Sequence, residues 1–267
     1  MSFENIQFEN RDGVALITLN RPEAFNSLNV PLMTEVRSAI REVSETPAMR
    51  VLVITGAGDA FCAGADLTDA GKGPGENLSV GEIVSEKMRV HFNPLIAEVY
   101  RLEKPVVSAV NGVTAGGGVG LALAADIVIA SRSAYFMQVF GPKLGIVPDC
   151  GCTWQLPRLV GRARALGLAF LGEKLPAEKA AEWGLIWQCV EDGSLMDAVM
   201  DVARKLAAGP TKAYGYIKRA YAESEHHNLE EQLEYERFCQ RTLCDTRDFI
   251  EGVSSFLEKR PAKFEGR

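Results

Sequence analysis

Three consecutive glycines, Gly116-Gly117-Gly118, set the strongest constraint on what this chain can fold into. An apolar run from Pro105 to Val110 leads into them and reads as a buried strand. Val119 to Ala125, small and apolar, reads as the start of a buried helix. Strand, glycine turn, helix is an arrangement that leaves free backbone N–H groups at a helix N-terminus. Glycine lets a ligand come close to that backbone because no Cβ stands in the way. Such a turn suits a negative charge, or an oxygen that becomes negative during a reaction. It also serves plain close packing of helix on strand, so the turn alone leaves both readings open. A phosphate loop is excluded because no Lys-Ser or Lys-Thr pair follows. A dinucleotide fingerprint is a poor match, since it usually occupies the first βαβ unit with an acid about 20 residues on.

The rest of the chain alternates strands and helices, then turns helical. Ile6–Glu9 and Val14–Leu19 read as a hairpin around Asp12-Gly13. Pro31 to Val43 has helical spacing, with Leu32, Val36, Ile40 and Val43 on one face. The β-branched run Val51–Ile54 predicts a strand buried on both faces. Residues 68–80, including Gly71-Lys72-Gly73-Pro74-Gly75, are expected to form a mobile segment. A helix is expected over Val80–Leu102, and strands over Ile127–Ala130 and Ala134–Val139. From Trp154 the pattern is helical, with helices predicted at 162–171, 176–183, 195–208, 211–225, 229–243 and 247–259. With 267 residues and 47% hydrophobic content, the chain can bury a sizeable core. This order predicts an α/β core with an appended helical region.

Composition excludes several function classes. The formal charge is −6 with no long basic run, which argues against binding nucleic acid through its phosphates. No apolar stretch of the roughly 20 residues needed for a membrane span occurs. Met1-Ser2-Phe3-Glu4-Asn5 has neither a basic start nor an apolar signal core. Six scattered cysteines are expected to be reduced thiols of a cytoplasmic protein. Cys150 and Cys152 form a Cys-x-Cys pair, but with three histidines and no second pair no metal is expected.

A second loop repeats the logic of the glycine turn. Phe61-Cys62-Ala63-Gly64-Ala65-Asp66-Leu67 also follows a buried strand and carries glycine before a helical segment. Side by side, the two turns would present the amides of Ala65 and Gly117 to one carbonyl oxygen and stabilise it as an enolate. Loss of one such donor typically costs about 3–4 kcal/mol of barrier stabilisation.

The chain resembles the crotonase (enoyl-CoA hydratase/isomerase) family. The matching segments are Leu19-Asn20-Arg21-Pro22-Glu23-Ala24-Phe25-Asn26-Ser27-Leu28, the Phe61–Leu67 loop, Lys104–Gly112, Gly116-Gly117-Gly118 and the tail Glu251–Arg260. They span nearly the whole chain in family order. The resemblance implies a ββα spiral core over residues 1–195 with a helical trimerisation region over 196–267, and a homotrimer or dimer of trimers. It implies an acyl-CoA thioester substrate, with coenzyme A part of the substrate and no separate cofactor. Ala65 and Gly117 match the oxyanion-hole positions. Ala24, Ala63, Ala65, Asp66, Leu67 and Thr68, with Gly116 and Gly117, match the CoA-binding wall. Lys263 and Phe264 match positions that reach CoA, from a neighbouring subunit in some assemblies.

Enolate chemistry also needs a base. Family hydratases use two glutamates, and the aligned positions here are Gly120 and Gly141, which puts two-glutamate hydration in doubt. Asp149, in Val147-Pro148-Asp149-Cys150-Gly151, stands where family isomerases carry an acid. The pattern is closest to the 1,2-epoxyphenylacetyl-CoA and Δ3,Δ2-enoyl-CoA isomerase group. Asp149 also suits a plain helix cap before a helix starting near Cys152. The expected reaction is a double-bond shift with Asp149 as acid and base, with 2-enoyl-CoA hydration as the alternative. Val113, Val119, Phe136, Val139, Phe140 and Trp154 are candidate pocket walls. Glu82, Glu86, His91 and the pair His226-His227 read as surface or structural groups, and Cys62 as a small buried residue.

Overall fold

A computed structural model describes residues 3–69 and 78–267. Most of the expected mobile segment, including Gly71–Gly75, lies outside them. Strand β1 (Ile6–Arg11) pairs antiparallel with β2 (Val14–Leu19), and α1 (Val30–Glu45), β3 (Val51–Gly56) and β4 (Ala60–Cys62) follow. The helix expected over Val80–Leu102 runs unbroken as α2 (Val80–Lys87) and α3 (Asn93–Arg101), joined by a wider π turn at Met88–Phe92. Next come β5 (Val106–Val110), β6 (Val113–Ala115), α4 (Gly117–Leu123), β7 (Ile127–Ser131), β8 (Tyr135–Met137) and α5 (Cys152–Leu171). Short elements β9 (Leu175–Pro176), α6 (Ala177–Glu182) and β10 (Gln188–Val190) lead to α7 (Leu195–Ala208), α8 (Thr211–Ser224), α9 (Leu229–Leu243) and α10 (Arg247–Glu258).

The strands form two sheets, in the orders β1-β2-β3-β5-β7-β10 and β4-β6-β8-β9. Each repeat places one strand in the first sheet and the next in the second, β3 then β4, β5 then β6, β7 then β8, before the chain turns helical. That is a ββα spiral. The central strands of the larger sheet alternate between two cores. Ala15, Ile17, Leu52 and Ile54 face α1, α3 and α4, while Val14, Leu16, Val51 and Val53 pack with Leu195, Val199, Ala203 and Ala207 of α7. Both faces of these strands are therefore buried, which is why they read as unbroken apolar runs. Burial of each such side chain contributes about 1.5–3 kcal/mol.

Helix α7 thus belongs to the layered core, although the expected division at 195/196 falls at its start. The helices beyond it, α8 to α10, form the appended region. Lys218 on α8 is anchored by an ion pair of 2.9 Å to Asp126, whose carboxylate also accepts the Val106 N–H at 2.7 Å. Burial pushes the Asp126 pKa up and the Lys218 pKa down. The far surface of this region carries exposed Leu229, Leu233, Ile250, Phe256 and Leu257. Among the described residues no helix is long and apolar enough to cross a membrane.

Candidate active site

The site begins at Asn26, a fully buried amide in the loop between β2 and α1. Its Nδ2 donates to the carbonyls of Ala57 (2.9 Å) and Ala60 (2.8 Å), and its Oδ1 accepts the Arg21 N–H at 2.9 Å. Phe25 and Asn26 both hold left-handed backbone angles, φ 49° and 55°, and this network sustains the strain. The 20s loop is thereby laced to the loop after β3. The Ala63 N–H donates to Phe25 O, the Leu28 N–H to Gly64 O at 2.7 Å, and the Asp66 N–H to Leu28 O at 3.0 Å. That pairing uses the residues on either side of Ala65 and leaves the Ala65 N–H out of the ladder.

Asp66 fixes the outer part of the same loop. Its carboxylate meets Arg21 at 2.9 Å and accepts from Thr68 N (3.1 Å) and Thr68 Oγ1 (2.7 Å). The Thr68 hydroxyl, then the Arg21 guanidinium, hold its pKa below the usual carboxylate value. Leu67 and Thr68 stand exposed beside it.

The second loop meets the first at Gly64. A Cβ there would lie 2.9 Å from Ala115 O and 3.1 Å from Gly117 N, so only glycine lets the two turns touch, at a φ of 95° that also favours it. Helix α4 starts at Gly117, two residues earlier than the glycine-turn reading expects, and all seven of its residues are buried. The Gly117 N–H is the first of the helix and has no intrahelical acceptor. Two uncommitted amides, Ala65 and Gly117, thus lie on backbone segments in direct contact, at the positive end of a buried helix.

Asp149 closes the site from a third loop. Its Oδ1 lies 3.6 Å from the point a Gly117 Cβ would occupy. The cap-only reading fails, because α5 is capped by Gly151 and receives no side-chain cap bond; Asp149 contributes only its main-chain carbonyl, to the Cys152 N–H at 2.9 Å. Burial raises the Asp149 pKa, and a hydrogen bond from the Cys150 thiol opposes this in part. Position 120 is filled from outside: a Cβ on Gly120 would stand 2.1 Å from Cys150 O. Gly141 is exposed, on the π turn Phe140–Leu144, of which only Phe140 is buried.

The structure brings Ala24, Ala63, Ala65, Asp66, Leu67, Thr68, Gly116, Gly117 and Asp149 to one region. Lys263 and Phe264 are not among them. Within this chain the Phe264 carbonyl accepts from Arg50 at 3.0 Å, at the start of β3, whereas the Ala65 loop follows that strand's other end. Of the candidate walls, Val139 and Phe140 lie against Gly116, at 3.3 and 3.7 Å from its Cβ point. Val119 and Phe136 are core residues, and Trp154 packs edge-on against Tyr100. The Cys62 thiol is buried and its pKa is pushed up to about 12, so it stays protonated. Glu82 belongs to a capping box with Ser79, and Glu86 pairs with Arg89 at the surface. His227 hydrogen-bonds Gln232. Sequence reasoning missed Asn26 as the lacing residue and Cys150 as the filler of position 120; the first sits in a recognisable motif, the second gives no sequence signal.

Two glycine turns in contact beside a buried carboxylate agree with the comparison with known proteins. The enoyl-CoA hydratase/isomerase family model covers residues 9–267. The chain belongs to the enoyl-CoA hydratase/isomerase family, the crotonases. It is 48% identical over 256 residues to the 1,2-epoxyphenylacetyl-CoA isomerase of Escherichia coli K12, covering 96% of each chain. It is 35% identical to the crotonyl-CoA hydratase of Syntrophomonas wolfei, covering 99% of each. The crystal structure of an enoyl-CoA hydratase from Bacillus anthracis superposes with a TM-score of 0.91 at 33% identity, covering 99% of this chain and 100% of that one. The crotonase fold expected from the sequence is therefore the observed one.

Proposed function

We propose that this crotonase is an acyl-CoA isomerase that moves a double bond through a thioester enolate. The observation that carries the reading is the buried Asp149 carboxylate beside Gly117, in a site where the Cys150 backbone leaves no room for a side chain at 120. The thioester carbonyl oxygen sits between the Ala65 and Gly117 amides. Asp149 takes the proton from C2 of a 3-enoyl thioester. The C–H electron pair becomes the C2–C3 double bond as the C3–C4 pair moves to C4, through a dienolate whose charge rests on the carbonyl oxygen. The protonated Asp149 then delivers the same proton to C4. No water and no resident cofactor enters this balance, since coenzyme A arrives with the substrate.

Ala24, Ala63 and Ala65–Thr68 form the CoA wall in this reading, with the Arg21–Asp66 pair setting its position. Lys263 and Phe264, remote from their own chain's hole, would serve a neighbouring subunit in a trimer or a dimer of trimers. The hydratase name of the Syntrophomonas wolfei relative supports a second reading, addition of water to a 2-enoyl-CoA. The experiment offers a 3-enoyl-CoA and a 2-enoyl-CoA separately and identifies the products. Formation of the 2-enoyl isomer from the first, faster than hydration of the second, is expected. Hydration outrunning isomerisation would replace the isomerase with the hydratase.

A further inference from the structure

We propose that Asp248 and Glu251 are positioning residues for acyl-CoA: their carboxylates clamp the main chain of the C-terminal tail to α10 and so fix where Lys263 and Phe264 stand. The inference rests on the reading that those two residues meet the CoA of a neighbouring subunit. It deepens that reading by naming what holds them in place.

Residues 261–267 form neither helix nor strand. Such a segment loses conformational entropy when it is ordered, so its order needs specific contacts. Two acids three residues apart on α10, and so on one face of it, provide them. Asp248 is 5% exposed; its Oδ1 accepts the Glu265 N–H at 2.6 Å and its Oδ2 the Gly266 N–H at 2.8 Å. Glu251 accepts the Lys263 N–H at 2.8 Å and two bonds from the Arg260 guanidinium, at 2.6 and 2.9 Å. Hydrogen bonds to a charged acceptor are stronger than neutral ones. The Arg260 guanidinium, then the Lys263 N–H, hold the Glu251 pKa down to about 2, so this acceptor is charged at neutral pH. Arg50 closes the clamp by donating to Phe264 O and to Thr211 Oγ1, both at 3.0 Å. Each main-chain unit from Lys263 to Gly266 is thus held by a charged side chain.

The clamp grips main chain and leaves the side chains available. Lys263 is exposed and lines a surface cavity of about 380 Å³ with Arg247, Asp248, Glu251, Arg260 and Glu265. Every acid of that cavity is engaged by another group: Asp248 by the two tail amides, Glu251 by Arg260, and Glu265 by Arg247 at 3.7 Å and Arg267 at 2.8 Å. Among the described residues none of these acids lies within ion-pair distance of the Lys263 ammonium. Phe264 is half-buried, with its ring 3.5 Å from the point a Cβ on Gly252 would occupy, so the helix that carries the clamp also seats the ring. A cation and an aromatic ring on a fixed main chain suit a phosphate-bearing nucleotide end, because less ordering remains to be done when it binds.

The test is the dissociation constant of coenzyme A itself, measured by titration calorimetry on the full-length protein, a readout independent of the reaction catalysed. Asp248→Ala and Glu251→Ala each release the tail, and each should weaken coenzyme A binding by about tenfold. Glu251→Gln keeps an acceptor for the Lys263 N–H and should recover most of the affinity. In a Lys263→Ala/Phe264→Ala background the contacts are already gone, so adding Glu251→Ala should change the constant by less than about twofold. An equal loss in both backgrounds would mark a merely structural role and overturn the inference. Glu251 is only partly buried, so its variants decide the matter should Asp248→Ala fail to fold. Wild-type affinity in Glu251→Ala, with Lys263→Ala/Phe264→Ala weakened, would overturn this inference alone. Wild-type affinity in Lys263→Ala/Phe264→Ala would overturn the reading of the tail and this inference with it.

Discussion

The main-chain carbonyl of Cys150 lies 2.1 Å from the point where a Cβ on Gly120 would stand. A side chain at position 120 is thereby excluded unless this loop moves. The loop that carries Asp149 occupies the volume a side chain on α4 would need. Among the described residues this packing leaves the buried Asp149 carboxylate beside Gly117, and in the proposed reaction one acid suffices for a proton shift.

Gly120→Ala tests that packing. The new methyl must push Cys150 and the Asp149 loop away, an overpacking change costing about 1–3 kcal/mol. Displacing the base by a fraction of an ångström to about 1 Å should lower kcat by up to about a hundredfold. Urea unfolding and steady-state rates measure both. Wild-type stability and rate in this variant would show that the loop is not wedged as described.

Asp149 should cost the fold stability at neutral pH. Burial raises its pKa above the ordinary 3.8, so the folded state binds the proton more tightly than the unfolded chain does. The contribution is fully favourable below 3.8 and is lost as pH rises through the folded value. Asp149→Asn, neutral throughout, should therefore melt higher than wild type at pH 7, and the difference should vanish as pH falls below about 4. The rate runs the other way: kcat/KM should fall as pH drops through the raised Asp149 value, because the base is then protonated. Thermal melts against pH and a pH–rate profile check the two halves.

Much of this was legible in the sequence, for physical reasons. The strands around Val14–Leu19 and Val51–Ile54 are long enough for both buried faces to show as apolar runs. The helices at 195–208, 211–225, 229–243 and 247–259 lie within a residue or two of their observed bounds. Gly161, at φ 78° inside α5, explains why the pattern reads as one helix near Cys152 and another from 162. Strands β4, β6, β9 and β10 escaped because they are two or three residues long, too short for an alternation to appear. Asp149 was found through a motif, but its freedom from capping and its contact with Gly117 are facts of three dimensions. Cys150 reads along the chain only as half of a Cys-x-Cys pair at which no metal is expected; its left-handed backbone and its glycine slot have no signature there. The tail residues Lys263 and Phe264 needed the fold, since only there does their distance from their own chain's Ala65 loop appear.

Asn26→Ala should destabilise the protein by about 2–3 kcal/mol, measured by chemical denaturation. It strands the buried carbonyls and amide that the side chain satisfies, and each unsatisfied group costs about 1–3 kcal/mol before relaxation. Asn111 Nδ2 also reaches Ala60 O, at 3.2 Å, and limits the loss. A change below about 0.5 kcal/mol, the range of ordinary surface substitutions, would remove Asn26 as the element that laces the loops.

Arg21 and Asp66 form the clamp over the proposed CoA wall, with side chains 17% and 10% exposed. A double-mutant cycle with Arg21→Ala and Asp66→Ala should give a coupling of roughly 1 kcal/mol. Each single variant should raise KM for acyl-CoA more than it lowers kcat, because the pair positions the wall and not the base. Equal loss of kcat in both would place them in the chemistry instead.

The most direct measurement is the rate at which wild type and Asp149→Asn convert a 3-enoyl-CoA to its 2-enoyl isomer. Removing a general acid–base group costs roughly 100- to 10,000-fold, and a loss in that range with KM nearly unchanged is the expected result. Undiminished isomerisation by the asparagine variant would contradict the account.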